Sequence, residues 1–187
     1  YMIVQNYQAD EVIAHTKQWV EKVVIGLNFC PFAAKVVNQQ TIHFQVSNAD
    51  SYQLCLEALM LEIQRLDETP HIETTLLILP AAFPVFNDYL ELVSLSEKLM
   101  KKEGYEGIYQ VASFHPLYLF AGSKETDAEN YTNRSVYPML HLLRESSIDK
   151  ALKSYKNPDD IPERNIRFTK EKGLVYMQML LKACGGH

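Results

Sequence analysis

The chain has 187 residues and a mass of 21.5 kDa, enough for a single domain with a sizeable core and no need of disulfide staples. Its 47% hydrophobic and 22% charged residues are ordinary for a globular protein and exclude a disordered one. A net charge of −5 and a pI near 5.7 lack the basic surplus of a protein that follows a phosphate backbone, so no nucleic-acid partner is expected.

The opening residues Tyr1 to Asn6 lack the basic start and long apolar core of a signal peptide. Three cysteines, Cys30, Cys55 and Cys184, are an odd number without a CxxC pair. They argue against a disulfide framework or a four-cysteine zinc site and fit a reducing cytoplasm. No apolar run approaches the roughly 18 residues of a membrane helix, so no membrane partner is expected.

A first helix is predicted from an Asp10 N-cap to about Gly26, with Val12, Thr16, Trp19, Val20, Val23, Val24 and Leu27 on one face. Gly26 and Asn28 punctuate its end. Pro31 then suits the first position of a new short helix. Thr41 to Val46 reads as a strand. Asn48 or Asp50 caps a helix to about Leu66, with Leu54, Ala58, Leu61 and Leu66 inward. Thr74 to Leu79 is a strand buried on both faces. Asn87 starts a helix that ends at Gly104, Gly107 to Phe114 is a third strand, and Leu117 to Ala121 suits a short fourth. Residues 122–132 read as loop. Short helices follow from Pro138 and around Ile148 to Tyr155, then a turn at Asn157-Pro158-Asp159-Asp160. Asn165 caps a final helix to about Ala183, weakened by Gly173. Alternating strands and helices predict an α/β or α+β fold over residues 1–187, a three- to four-stranded sheet with helices packed against it. The first two strands should be parallel if adjacent.

Reactive side chains gather beside proline in the third quarter. Of five arginines, four (Arg134, Arg144, Arg164, Arg167) fall between Asn133 and Arg167, whereas the lysines scatter along the chain. Arginine is preferred where a planar fork grips a carboxylate or phosphate. Cys30 is the candidate nucleophile: at the N-cap of a helix opened by Pro31, its thiol pKa would fall toward neutrality. The alternative is a small buried hydrophobe between Phe29 and Phe32. His115 sits where a strand ends in proline, as a base or as a shaper of the turn. His141 and Glu145, four apart on one helix, share a face on which Glu145 orients the imidazole, while Arg144 adds a cation or an internal ion pair. Arg134 and Arg164 stand in loops just before helix starts, where Asn133, Ser135 and Asn165 supply further donors for an anion. The alternative is loop-tying to carbonyls. A Cys30, His115 and His141 zinc set has no supporting ligand spacing, and glycine-rich phosphate loops are missing, so no metal or cofactor is expected.

The stretches Gly26-Leu27-Asn28-Phe29-Cys30-Pro31-Phe32-Ala33, Phe114-His115-Pro116-Leu117-Tyr118, Asn133 to Glu145 and Ile161-Pro162-Glu163-Arg164-Asn165, with Trp19, resemble a bacterial domain-of-unknown-function family numbered 1415. The resemblance covers nearly the whole chain, although leucine is expected where Phe29 stands and proline where Val136 stands. It implies a small soluble bacterial protein and carries no assigned activity or catalytic residue.

The chemistry therefore reads as a cytoplasmic hydrolase or group transferase for a small anionic substrate, with Cys30 as nucleophile or acid, His115 or His141 as base, and Arg134, Arg144 and Arg164 as clamp. A non-catalytic binding module for a small anionic metabolite uses the same arginines. On either reading, Cys30, His115, Arg134, His141, Arg144 and Arg164 should surround one cleft. Oligomeric state is not legible.

Overall fold

The computed structural model describes residues 7–185; the opening segment read above for an export signal lies outside the described residues. Helix α1 (Ala9–Trp19) begins beside Asp10, with Gln8 rather than Asp10 at the N-cap. It continues as a π-helical turn over Val20–Ile25, closed by the Gly26 amide on the Glu21 carbonyl. A β-carbon on Gly26 would stand 2.4 Å from the Lys22 carbonyl oxygen, so this wider turn needs glycine. Asn28 then takes a left-handed conformation at φ 54° and redirects the chain toward Phe29 and Cys30, as its punctuation predicted.

Short helix α2 (Ala33–Asn38) leads into strand β1 (Ile42–Val46). Helix α3 (Tyr52–Glu68), capped by the Ser51 hydroxyl rather than by Asn48 or Asp50, crosses back to β2 (Thr74–Ile78). Helix α4 (Phe86–Lys102) precedes β3 (Tyr109–Phe114), and a 3₁₀ turn (Ala128–Thr132) precedes β4 (Met139–Arg144). Helices α5 (Glu145–Ser154), α6 (Asp160–Lys172) and α7 (Leu174–Lys182) complete the chain.

The sheet runs in the order β1-β2-β4-β3. β1 and β2 are parallel neighbours, as the crossover rule requires, while β4 is antiparallel to both β2 and β3. The fold is α+β, with a core on each face of the sheet. Leu76, Ile78 and Met139 meet Val12, Trp19, Val20 and Met177 on one face. Leu77, Leu79, Leu140 and Leu142 meet Leu59, Ile63, Tyr89 and Leu92 on the other. No helix among the described residues is long and apolar enough to cross a membrane.

The structure also corrects several other local expectations. The fourth strand is Met139–Arg144, not Leu117 to Ala121, and it replaces the short helix expected from Pro138. Because β4 is central and covered on both faces, it is apolar on both, and strand alternation is hidden. On α3 the inward stripe is Cys55, Leu59, Glu62, Ile63 and Leu66; Leu54 and Leu61 are exposed. The final helix is two helices, because Gly173 at φ 81° ends α6. Asn165 lies inside α6 and caps nothing. Pro31 precedes α2, whose N-cap is Phe32, so Cys30 is not a cap.

Candidate functional site

The predicted site residues fall into three groups rather than around one cleft. The first sits where β2 and β3 end and β4 begins. The His115 amide donates to the Asn133 carbonyl and the Ser135 amide to the His115 carbonyl, which splices the two motif loops. Asn133 Nδ2 donates to the Ser113 carbonyl (3.2 Å), and Ser135 Oγ donates to the Tyr137 carbonyl (2.6 Å). The Tyr89 hydroxyl donates to the Met139 carbonyl (2.7 Å) and accepts the Phe114 amide (3.0 Å), tying α4 to both strands.

His115 is 1% exposed, and both ring nitrogens are used. Nε2 donates to the Phe83 carbonyl (2.9 Å), and Nδ1 accepts the Leu117 amide (3.0 Å). Burial holds its pKa below the usual histidine range, against the Phe83 bond. An imidazole whose lone pair already accepts an amide is a poor general base. Arg134 is buried in the same group. Its Nε and Nη2 donate to the carbonyls of Tyr118 and Glu125, both at 3.1 Å, and its guanidinium lies over the Tyr131 ring. It follows the 3₁₀ turn and leads into a strand, so no helix start lies ahead of it. The Trp19 indole donates to the Arg134 carbonyl at 3.0 Å.

The second group lies along β4. His141 Nε2 is 2.6 Å from the Thr74 hydroxyl, which gives its one proton to the Leu142 carbonyl. Nε2 must therefore carry a proton, which assigns the neutral tautomer from the network. Burial lowers the His141 pKa to about 4. Glu145 opens α5 and shares no helix face with His141. Arg144 stands at the opposite end of β4 from Met139, roughly 17 Å away at strand spacing. Its three nitrogens donate to the carbonyls of Ile72 and Leu66 and to the Tyr109 hydroxyl. That hydroxyl in turn donates to Asp67 (2.6 Å). Arg144 thus ties the end of the sheet to the last turn of α3, and it serves the fold.

The neutral histidines make stability pH-dependent. An unfolded histidine titrates near 6.5. With the folded pKa of His141 at about 4 and that of His115 also lowered, the unfolded chain binds more protons between these limits. Stability should be full above about pH 6.5 and fall as pH drops toward 4, with His141 contributing up to roughly 3 kcal/mol. Urea midpoints across this range should show a shallower loss in His141→Gln than in the parent; parallel profiles would refute the assignment.

The third group joins α6 to the turn after α1. Arg164 lies inside α6, not in a loop, and its Nη2 donates to the Asn28 carbonyl and to Asn165 Oδ1. Asn165 Nδ2 donates to the Phe29 carbonyl at 2.8 Å. Arg164 Nε is buried without a hydrogen-bond partner. Cys30 follows directly. Burial raises its thiol pKa, outweighing the amides of Phe32 and Ala33 that favour the thiolate. The expected depression toward neutrality is therefore reversed. Cys30 remains the partly exposed thiol, beside the buried Cys55 and Cys184. A thiol-alkylating reagent should modify Cys30 first, with a rate still climbing above pH 9. Rapid labelling that levels off near pH 7 would contradict this environment.

Among the described residues, no group of three or more His, Cys, Asp or Glu is arranged to hold a metal ion, so Cys30, His115 and His141 do not converge. Nor does any carboxylate of the described residues form an ion pair with Arg134, Arg144 or Arg164. A feature missed from the sequence lies elsewhere. A groove of about 440 Å³ between β1 and α3 includes Gln45, Glu62 and Arg65. Glu62 is 2% exposed, bonded by Arg65 Nε (3.0 Å) and 3.6 Å from His43 Nε2. No sequence signal marked it, because tertiary packing chose which stripe of α3 is buried.

No curated protein and no solved structure matches the chain. One family model does, over residues 11–179, a span that holds all three groups and the motif loops that His115, Ser135, Arg164 and Asn165 bind together. The chain therefore belongs to the family described as "Protein of unknown function (DUF1415)".

Proposed function

We propose that this protein is a binding module for a small anionic metabolite, with Arg164 as the anchoring cation and the Cys30 turn beside it. One observation carries the reading: Arg164 Nε is buried without a partner, on a guanidinium that no carboxylate among the described residues pairs. A buried donor left unbonded is costly, and a phosphate, sulfate or carboxylate oxygen would satisfy it. Arg134 and Arg144 support the fold rather than the ligand, since backbone carbonyls take their donors. A net charge of −5 accords with a protein that has no nucleic-acid partner.

The second reading is a hydrolase or group transferase with Cys30 as nucleophile. The amides of Phe32 and Ala33 directed at the thiol favour it, because such donors would stabilise a thiolate. It ranks second because His115 and His141 bond to Phe83, Leu117 and Thr74 and make no bond to Cys30.

Thermal-shift titration with phosphate, sulfate and a panel of carboxylates tests the proposal. An anion at about 100 times its Kd adds about 2.7 kcal/mol to the folded state. The wild type should rise in melting temperature, Cys30→Ala should keep the rise, and Arg164→Ala should lose it. An equal rise in Arg164→Ala would refute the anchoring role. Loss of the rise in Cys30→Ala, with a covalent adduct on the wild type by mass spectrometry, would favour the enzyme.

A further inference from the structure

β1 is an edge strand, and the parallel ladder decides which of its backbone groups are spent. The Ser47 amide donates to the Ile78 carbonyl, and the Thr41 carbonyl accepts the Glu73 amide. Odd-numbered residues of β1 therefore face β2, and the backbone groups of Ile42, Phe44 and Val46 point to the open edge. The Val46 carbonyl is covered by the Gln45 side chain at 3.0 Å, but no side chain among the described residues caps the other edge groups in this way.

Helix α3 flanks the same edge with a second apolar stripe. Leu54 is 47% and Leu61 64% exposed, with Ala58 between them. Ala58, Leu61 and Arg65 form one wall of the groove whose other wall is Gln45, Val46 and Ser47. This stripe follows helical spacing as well as the inward one does, yet nothing among the described residues covers it.

We propose that the β1 edge and this face of α3 form a two-fold interface with a second copy of the chain. The charge pattern and the backbone are both self-complementary. Glu57 and Arg65 lie four residues either side of Leu61, so antiparallel packing about Leu61 sets each Glu57 against the partner copy's arginine. Arg65 spends Nε and Nη2 on Glu62, leaving Nη1 for that contact. Antiparallel pairing of β1 about Phe44 exchanges the Phe44 amide and carbonyl between copies. It also sets each Val46 amide against an Ile42 carbonyl, and each Ile42 amide against the Val46 carbonyl, whose second lone pair is free beside the bond from Gln45. The two sheets become one continuous sheet, and the exposed leucines meet.

Sedimentation velocity over a concentration series tests this with the full chain. The wild type should reach twice the 21.5 kDa chain mass. Leu61→Glu should sediment as monomer. Glu57→Lys should raise the dissociation constant roughly tenfold by setting like charges together. Glu57 is exposed, its bonded partner being the surface residue Gln53, so that variant keeps the test valid should Leu61→Glu fail to fold. A wild type that stays monomeric up to its solubility limit, or a dimer that Glu57→Lys leaves unweakened, overturns the proposal.

Discussion

Replacing Trp19 with alanine is expected to destabilise the protein by about 4–5 kcal/mol, the largest effect of any single substitution considered. The indole is 2% exposed and packs edge-on against Phe114 at 5.2 Å, so its removal opens a cavity between α1 and the end of β3. Its Nε1 also donates to the Arg134 carbonyl, and the lost bond leaves that carbonyl unpaired inside the fold. Trp19→Phe separates the two effects: it keeps most of the packing and loses the bond, and should cost about 1–2 kcal/mol. Urea unfolding of both variants measures this. A cost under 1 kcal/mol for Trp19→Ala would mean that the motif loops are held some other way.

Arg144→Ala should cost about 3 kcal/mol, although its sequence neighbourhood suggested a ligand clamp. The loss removes the donors to Leu66, at the carboxyl end of α3, and to Ile72 beyond it, and it removes a cation that complements the negative end of the helix dipole. It also removes a donor to the Tyr109 hydroxyl, whose pKa is pushed up to about 12 by burial and by the bond to Asp67. Arg144→Lys should recover less than half of the loss, because one ammonium cannot span three acceptors that a planar fork reaches. Chemical denaturation of the pair, with anion titration alongside, should show stability falling while the response to anion is unchanged. A fully stable Arg144→Ala that no longer binds anion would return this residue to the site.

These outcomes bear on what could be read from the sequence. The parallel β1–β2 pair and the left-handed Asn28 were legible because they follow from local rules about crossovers and helix ends. β4 was not. Met139, Leu140, His141, Leu142 and Leu143 are buried or half-buried from both sides of a central strand, and a run that is apolar on both faces carries no period. Misreading it as a helix joined His141 to Glu145, a pairing that a strand followed by a new helix cannot make. On α3, the stripes through Leu61 and through Ile63 have equal helical spacing. Only tertiary packing chose the second.

The arginine cluster shows the same limit. Arg134, Arg144 and Arg164 are close in number, but a six-residue strand carries Arg144 to the far end of the sheet and α6 carries Arg164 to the turn after α1. The chemistry of the residue type was legible. Its convergence was not, because convergence depends on strand order and helix docking.

The claim that Arg164 awaits an anion can be read at a single atom. Arginine Nε–H resonances of a ¹⁵N-labelled sample, with that of Arg164 identified by its absence in Arg164→Lys, should be followed during phosphate and carboxylate titration. The account predicts a saturable shift of the Arg164 signal, with those of Arg134 and Arg144 held in place by their carbonyl partners. An Arg164 Nε–H that stays fixed through the titration, or that moves no more than the other two, would contradict it.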